Sequence, residues 1–175
     1  MGISLRRKLM TIGLVSIAFI VMISLIYLHM LLQPRLRAII YSSPEVMNSI
    51  ERELREKLGV GDITFHNIAL DEERKVYDML CDIIFEKSCG FLPITLVFQG
   101  EKLVCIIAGR PSEELWSAIR RNITEGEQVF LAYSGPMELL LKAICRSCPP
   151  EEVVEAIVIL SERKVEAIQE LVMRR

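Results

Sequence analysis

Five cysteines, Cys81, Cys89, Cys105, Cys145 and Cys148, are the side chains of this 175-residue chain best suited to covalent chemistry, and their spacing sorts them. Cys145-Arg146-Ser147-Cys148 is the one C-x-x-C: two sulfurs at exchange spacing, a flanking cation, and Pro149-Pro150-Glu151-Glu152 behind them reading as a helix start. A helix N-terminus and a neighbouring positive charge both lower a thiol pKa, so Cys145 and Cys148 are the candidate catalytic pair. A structural disulfide, a redox-active pair, and zinc ligands or free thiols are the readings open to them; zinc needs about four ligands, and no second close pair exists. Cys81 and Cys89 flank the end of a predicted helix. On an unbroken helix they would lie ~12 Å apart, beyond the ~7 Å limit for bridging, so their pairing depends on the helix ending before Cys89. Cys105 sits in an apolar run and reads as a small core residue.

Other chemistry is sparse. His66 falls in the alternating stretch Ile63–Ile68 and reads as a surface side chain rather than a base. No phosphate loop, dinucleotide fingerprint, H-E-x-x-H or Ser-His-Asp arrangement is present, so neither a cofactor nor a metal is expected. Asn122-Ile123-Thr124 is a glycosylation sequon, meaningful only in a secretory setting.

The elements that must position these residues follow from periodicity. Ala38–Tyr41 is a short β-rich run that leaves through Ser42-Ser43-Pro44. Ser43 then caps a helix carrying Ile50, Leu54 and Leu58 at i+4 spacing until Gly59 stops it. Ile63–Ile68 alternates as a strand does, and Asp71 opens a second helix with Val76, Leu80, Ile83 and Ile84 on one face. Ile94–Phe98 and Leu103–Ile107 form a hairpin-like pair across Gln99-Gly100-Glu101-Lys102, and Pro111-Ser112-Glu113-Glu114 starts a helix with Leu115, Trp116 and Ile119. The order β-α-β-α-β-β-α predicts an α/β domain, a mixed sheet flanked by helices whose first two strands are parallel. Beyond it, Gln128–Tyr133 reads as a strand and a helix follows through Leu139, Leu140 and Ala143. Val153 to Val172 fits one helical face, although Ala156–Leu160 also fits a strand.

Charge divides the chain. From Met10 to Pro34 there is no charged residue, with His29 neutral. Residues 1–35 hold Arg6, Arg7, Lys8 and Arg35 but no acid, so the remainder carries 17 bases against all 23 acids, a net charge of −6. An acidic domain without basic clusters cannot neutralise phosphates, and a nucleic-acid partner is excluded. The apolar run exceeds the ~20 residues that span a bilayer and lacks a small-x-small cleavage site. The expected organisation is therefore a basic flank at 1–8, a transmembrane helix at 9–33 with membrane lipid as its partner, a domain at 37–121 and a C-terminal α-rich extension at 122–175. Three basic residues before the span against Arg35 and Arg37 after it favour an inside N-terminus. The domain of this single-pass membrane protein is then expected to be extracytoplasmic.

Residues 37–121 resemble the thioredoxin-like fold family in its glutaredoxin-like form. The resemblance rests on Ala38-Ile-Ile-Tyr-Ser-Ser-Pro as the strand entering the active-site helix and Phe91–Phe98 as the cis-proline strand. It rests also on Gln99-Gly-Glu-Lys as the hairpin turn and on Ala108-Gly109 followed by Ser112-Glu-Glu-Leu as the last strand-to-helix step. The family's C-x-x-C would fall on Val46-Met47-Asn48-Ser49, and neither Val46 nor Ser49 can attack a disulfide. The resemblance implies that Pro93 is a cis-proline near the loop Ser42–Glu45 and that Leu92 and Pro93 hold a peptide or thiol substrate through the backbone. Two functions stay open. One is thiol–disulfide or assembly work on a protein or peptide thiol partner, with the chemistry moved to Cys145 and Cys148. The other is a redox-inactive peptide- or protein-binding module.

Overall fold

The computed structural model describes residues 19–25, 35–86, 88–126, 128–136 and 153–173. By compactness the chain divides into two units, Met1–Pro34 and Arg35–Arg175.

In the second unit, β1 (Leu36–Ser42) leads into α1 (Pro44–Leu58), which starts where expected: Ser43 is the extended cap residue, Pro44 takes the first helical position, and Glu45 faces the helix dipole. Gly59 ends it in a left-handed conformation at φ +67°, its N–H donating to the Arg55 carbonyl and the Val60 N–H to the Leu54 carbonyl. Next come β2 (Asp62–Asn67), α2 (Asp71–Phe85), β3 (Ile94–Gln99), β4 (Lys102–Gly109) and α3 (Glu113–Glu125). The chain continues through β5 (Phe130–Pro136), β6 (Val153–Ile159) and α4 (Glu162–Met173).

The six strands among the described residues belong to one mixed sheet of order β2-β1-β3-β4-β5-β6. The β1–β2 and β4–β5 pairs are parallel, and the β1–β3, β3–β4 and β5–β6 pairs are antiparallel. Strand alternation sends side chains into two separate cores. Ala38, Ile40, Val97 and Ala132 meet Leu54, Trp116 and Ile119 of α1 and α3 on one face. Tyr41, Leu96, Ile106 and Tyr133 meet Leu80 and Ile84 of α2 and Ile168 of α4 on the other. β3 is buried from Ile94 to Phe98, as a central strand covered on both faces must be.

Two expectations require correction. The first is the transmembrane helix over 9–33 and, with it, the single-pass membrane location and the extracytoplasmic side. Among the described residues no helix is long and apolar enough to cross a membrane. Residues 19–25 of that stretch are helical, and the rest of 9–33 lies outside the described residues. The second is the α-rich character of 122–175. Two strands from this region extend the domain's own sheet, and Val153–Ile159 forms strand β6 paired with β5 from Phe130↔Ile159 to Pro136↔Val153. Hydrophobic spacing there satisfied a helix as well as a strand, and the open edge of β5 decided between them. The helix expected through Leu139, Leu140 and Ala143 lies outside the described residues.

Gly109 holds the middle of the sheet together. Its φ is +94°, a Cβ there would come within 1.6 Å of the Ser134 carbonyl oxygen, and its N–H donates to the Pro93 carbonyl at 2.8 Å. Gly109→Ala is expected to cost roughly 3–5 kcal/mol, because the obstructing atom is backbone and cannot rotate away. Urea unfolding of the full chain measures it. A second expectation concerns pH: burial pushes the Tyr133 phenol up to about 12, while its hydroxyl donates to the Pro136 carbonyl. The unfolded phenol ionises near pH ~10, so the native state binds the proton more tightly. Stability is therefore complete below pH ~10 and falls as the pH rises toward 12, and Tyr133→Phe flattens this alkaline limb in a thermal-melt series.

Candidate functional site

The carboxyl ends of parallel strands are where open α/β sheets present their loops to ligands. Here that end is built from the β1–α1 turn, the β2–α2 turn and the approach to β3. The antiparallel register Tyr41↔Ile94, continued by one residue, sets Pro93 opposite Ser42, so the proline lies beside the turn into α1 as the resemblance implied. It is not cis: no cis peptide bond occurs among the described residues. A trans X-Pro bond is the ordinary state, and it suffices here because the Pro93 carbonyl is anchored by the Gly109 N–H.

At the start of α1 there is no thiol. Val46 is half-buried, and the Ser49 hydroxyl donates to the Val46 carbonyl at 2.8 Å, a local bond to backbone rather than to a base. Beneath them Ser42 is fully buried, and its hydroxyl has no hydrogen-bond partner among the described residues.

Leu92 differs from the expected open peptide hook. Its N–H donates to the Cys89 carbonyl at 3.2 Å, and its own carbonyl accepts from the Tyr77 hydroxyl at 2.7 Å. Burial drives the Tyr77 pKa well upward, against the opposing effect of Arg74 and with a smaller push from Asp78, so the phenol remains a donor across the physiological range. Both backbone groups that would pair with an extended substrate are thus engaged inside the chain.

Cys81 and Cys89 are bonded as a disulfide with Cα atoms 5.5 Å apart. The condition set by spacing is met because α2 stops at Phe85, with Glu86 capping it in the left-handed region at φ 59°. Cys105 is buried as expected, and burial pushes its thiol well up, keeping it protonated and inert. Cys145 and Cys148 lie outside the described residues.

Sequence spacing missed one pair. His66 stacks on Tyr41 with ring centroids 4.8 Å apart, and its Nδ1 lies 2.8 Å from Oε2 of Glu73. This is the geometry of an imidazole oriented by a carboxylate, which leaves the other ring nitrogen to accept or donate. Among the described residues no three His, Cys, Asp or Glu side chains form a metal-holding group. The signal was hidden because Glu73 reaches His66 only through the β2–α2 turn, tightened by Asn67 Oδ1 accepting from the Ala69 N–H.

The surface of this end is apolar where it is most exposed. Phe91 is 76% exposed and Leu70 is 58% exposed. Between them on α2, the Arg74 guanidinium lies 5.0 Å from the Phe91 ring centroid and 5.3 Å from that of Tyr77. Large apolar side chains left in water on loops flanking a proline turn are suited to contact rather than catalysis.

Tyr77→Phe removes the donor to the Leu92 carbonyl without changing the ring, and a loss of about 1–2 kcal/mol is expected, read by chemical denaturation of the oxidised protein.

Compared with protein-family models, with curated proteins and with solved structures, the chain shows no match.

Proposed function

We propose that residues 35–175 form a thioredoxin-like binding domain without thiol chemistry at its first helix, which holds an extended peptide bearing an apolar side chain against Leu70, Phe91 and Pro93. The observation that carries this reading is the pairing of an unreactive helix start, Val46 and Ser49, with a 76% exposed Phe91 two residues before the proline that enters β3. Supporting it, the elements of residues 37–121 occupy the order β2-β1-β3-β4 in one sheet, and the family resemblance assigns substrate contact to the segment before β3. A fold by itself does not establish activity, so the weight falls on the side chains present.

Panning a phage-displayed random peptide library against the full chain, oxidised and dithiol-treated, tests the proposal. Peptides sharing an apolar anchor should be enriched, and Phe91→Ser should weaken the selected peptide at least ~10-fold, the effect of a contact worth about 1.4 kcal/mol, with little change in melting temperature. Equal binding to Phe91→Ser would overturn the proposal. So would insulin reduction by the wild-type chain that Cys145→Ser abolishes, because the work would then be thiol exchange at Cys145 and Cys148.

A further inference from the structure

One stripe of α2 ties down the approach to β3, in addition to the packing of the Leu92 side chain against the core. Arg74, Tyr77 and Cys81 follow at i, i+3 and i+7, so they share a helix face. Each grips a different residue of the segment Cys89–Leu92: Arg74 lies over the Phe91 ring, Tyr77 donates to the Leu92 carbonyl, and Cys81 is bonded to Cys89. The first two ties are non-covalent and of ordinary strength, and Gly90 turns the chain at φ +65° between Cys89 and Phe91. Beyond Pro93 the situation changes. Pro93 is fastened by the Gly109 N–H, and Ile94 onward is laddered to β1 and β4. Any loosening that starts at Cys89 therefore ends at Pro93.

We infer that the Cys81–Cys89 disulfide is a redox-controlled latch: two-electron reduction by a dithiol loosens Cys89–Leu92 from α2 and releases the Leu92 N–H and carbonyl for pairing with an extended peptide. The peptide half of this inference rests on the binding reading above; the latch half does not. Both sulfurs belong to the buried core, Cys89 at 5% exposure and Cys81 at 0%, so the reductant reaches Cys89, on the short segment before β3, when that segment opens locally. A thiolate of the dithiol forms a mixed disulfide with Cys89 and expels Cys81 as thiolate, which takes up a proton. The second thiol of the reductant then displaces Cys89 in the same way. One protein disulfide becomes two thiols, and the dithiol becomes a disulfide.

The test is hydrogen exchange on the full chain before and after native treatment with dithiothreitol, with alkylation and peptide mapping to count the Cys81 and Cys89 thiols. Exchange in the peptide covering 88–93 should rise at least tenfold, while the β3 and β4 peptides stay unchanged. Cys81→Ala/Cys89→Ala should reproduce this without reductant, which separates the effect from Cys105, Cys145 and Cys148; should that variant not fold, the wild-type comparison decides. Unchanged exchange with both thiols alkylated, a rise across the whole sheet, or a disulfide that resists the dithiol would each overturn the latch. The library-selected peptide should bind the reduced chain at least tenfold more tightly than the oxidised one. Equal affinity in both states would overturn the link to Leu92. Absence of any selected peptide, with exchange responding at 88–93, would overturn the binding reading while supporting the latch.

Discussion

The insertion of β3 antiparallel between two parallel strand pairs is the constraint on which the rest of the molecule depends. β1–β2 and β4–β5 are each parallel units joined through a helix, and β3 is the strand hydrogen-bonded to both. Because it is covered on both faces, it must be largely apolar, and Ile94–Phe98 satisfies that with Thr95 as its one polar side chain. Its entry point is equally constrained. Pro93 has no N–H to place in the ladder, and its carbonyl is taken by Gly109, whose backbone can approach Ser134 only because it carries no Cβ. That junction ties the start of β3 to the end of β4 and the middle of β5.

From it the site takes its form. A strand pinned at Pro93 leaves the preceding residues nowhere to go but along α2, and α2 meets them with a phenol, a guanidinium and a sulfur on one face. The same geometry closes the backbone hook that the resemblance implies at Leu92. At the neighbouring turn His66 is held by Glu73 and stacked on Tyr41, an arrangement that stiffens the β2–α2 corner from which Leu70 projects.

The C-terminal part is integral to the domain rather than appended to it. Glu155 on β6 accepts from both the backbone N–H and the hydroxyl of Ser112, the capping residue of α3, so a side chain from the last strand completes the N-terminus of a helix 43 residues earlier. Ile168 of α4 is fully buried against the α2 side of the sheet. The Lys164 ammonium reaches the Ile84 carbonyl at 3.1 Å, closing the last turn of α2 from outside.

Local order was largely legible in the residues. Ser43-Pro44 and Gly59 bound α1, the alternation of Ile63–Ile68 marks β2, and Gly100 turns the hairpin at φ +63°, because caps, periods and positive φ are properties of short stretches. The absence of thiols at Val46 and Ser49 needed no structure at all. What the residues left open were questions of approach between distant segments. Val153–Ile159 has a pattern that suits helix or strand, and only the unpaired edge of β5 selects the strand. Cys81 and Cys89 have a spacing that forbids or permits a bond according to where α2 ends. His66 meets Glu73, and Leu92 surrenders its carbonyl to Tyr77, through contacts no periodicity encodes. The apolar run before Arg35 has a composition that suits a membrane span, whereas among the described residues no helix is long and apolar enough to cross one. The sequence by itself thus determined which segments would be strand or helix in the first domain and which chemistry its first helix lacks. Tertiary structure alone decided which edge, which sulfur and which carbonyl found a partner, because those choices depend on distances set by the packed sheet rather than on neighbours along the chain.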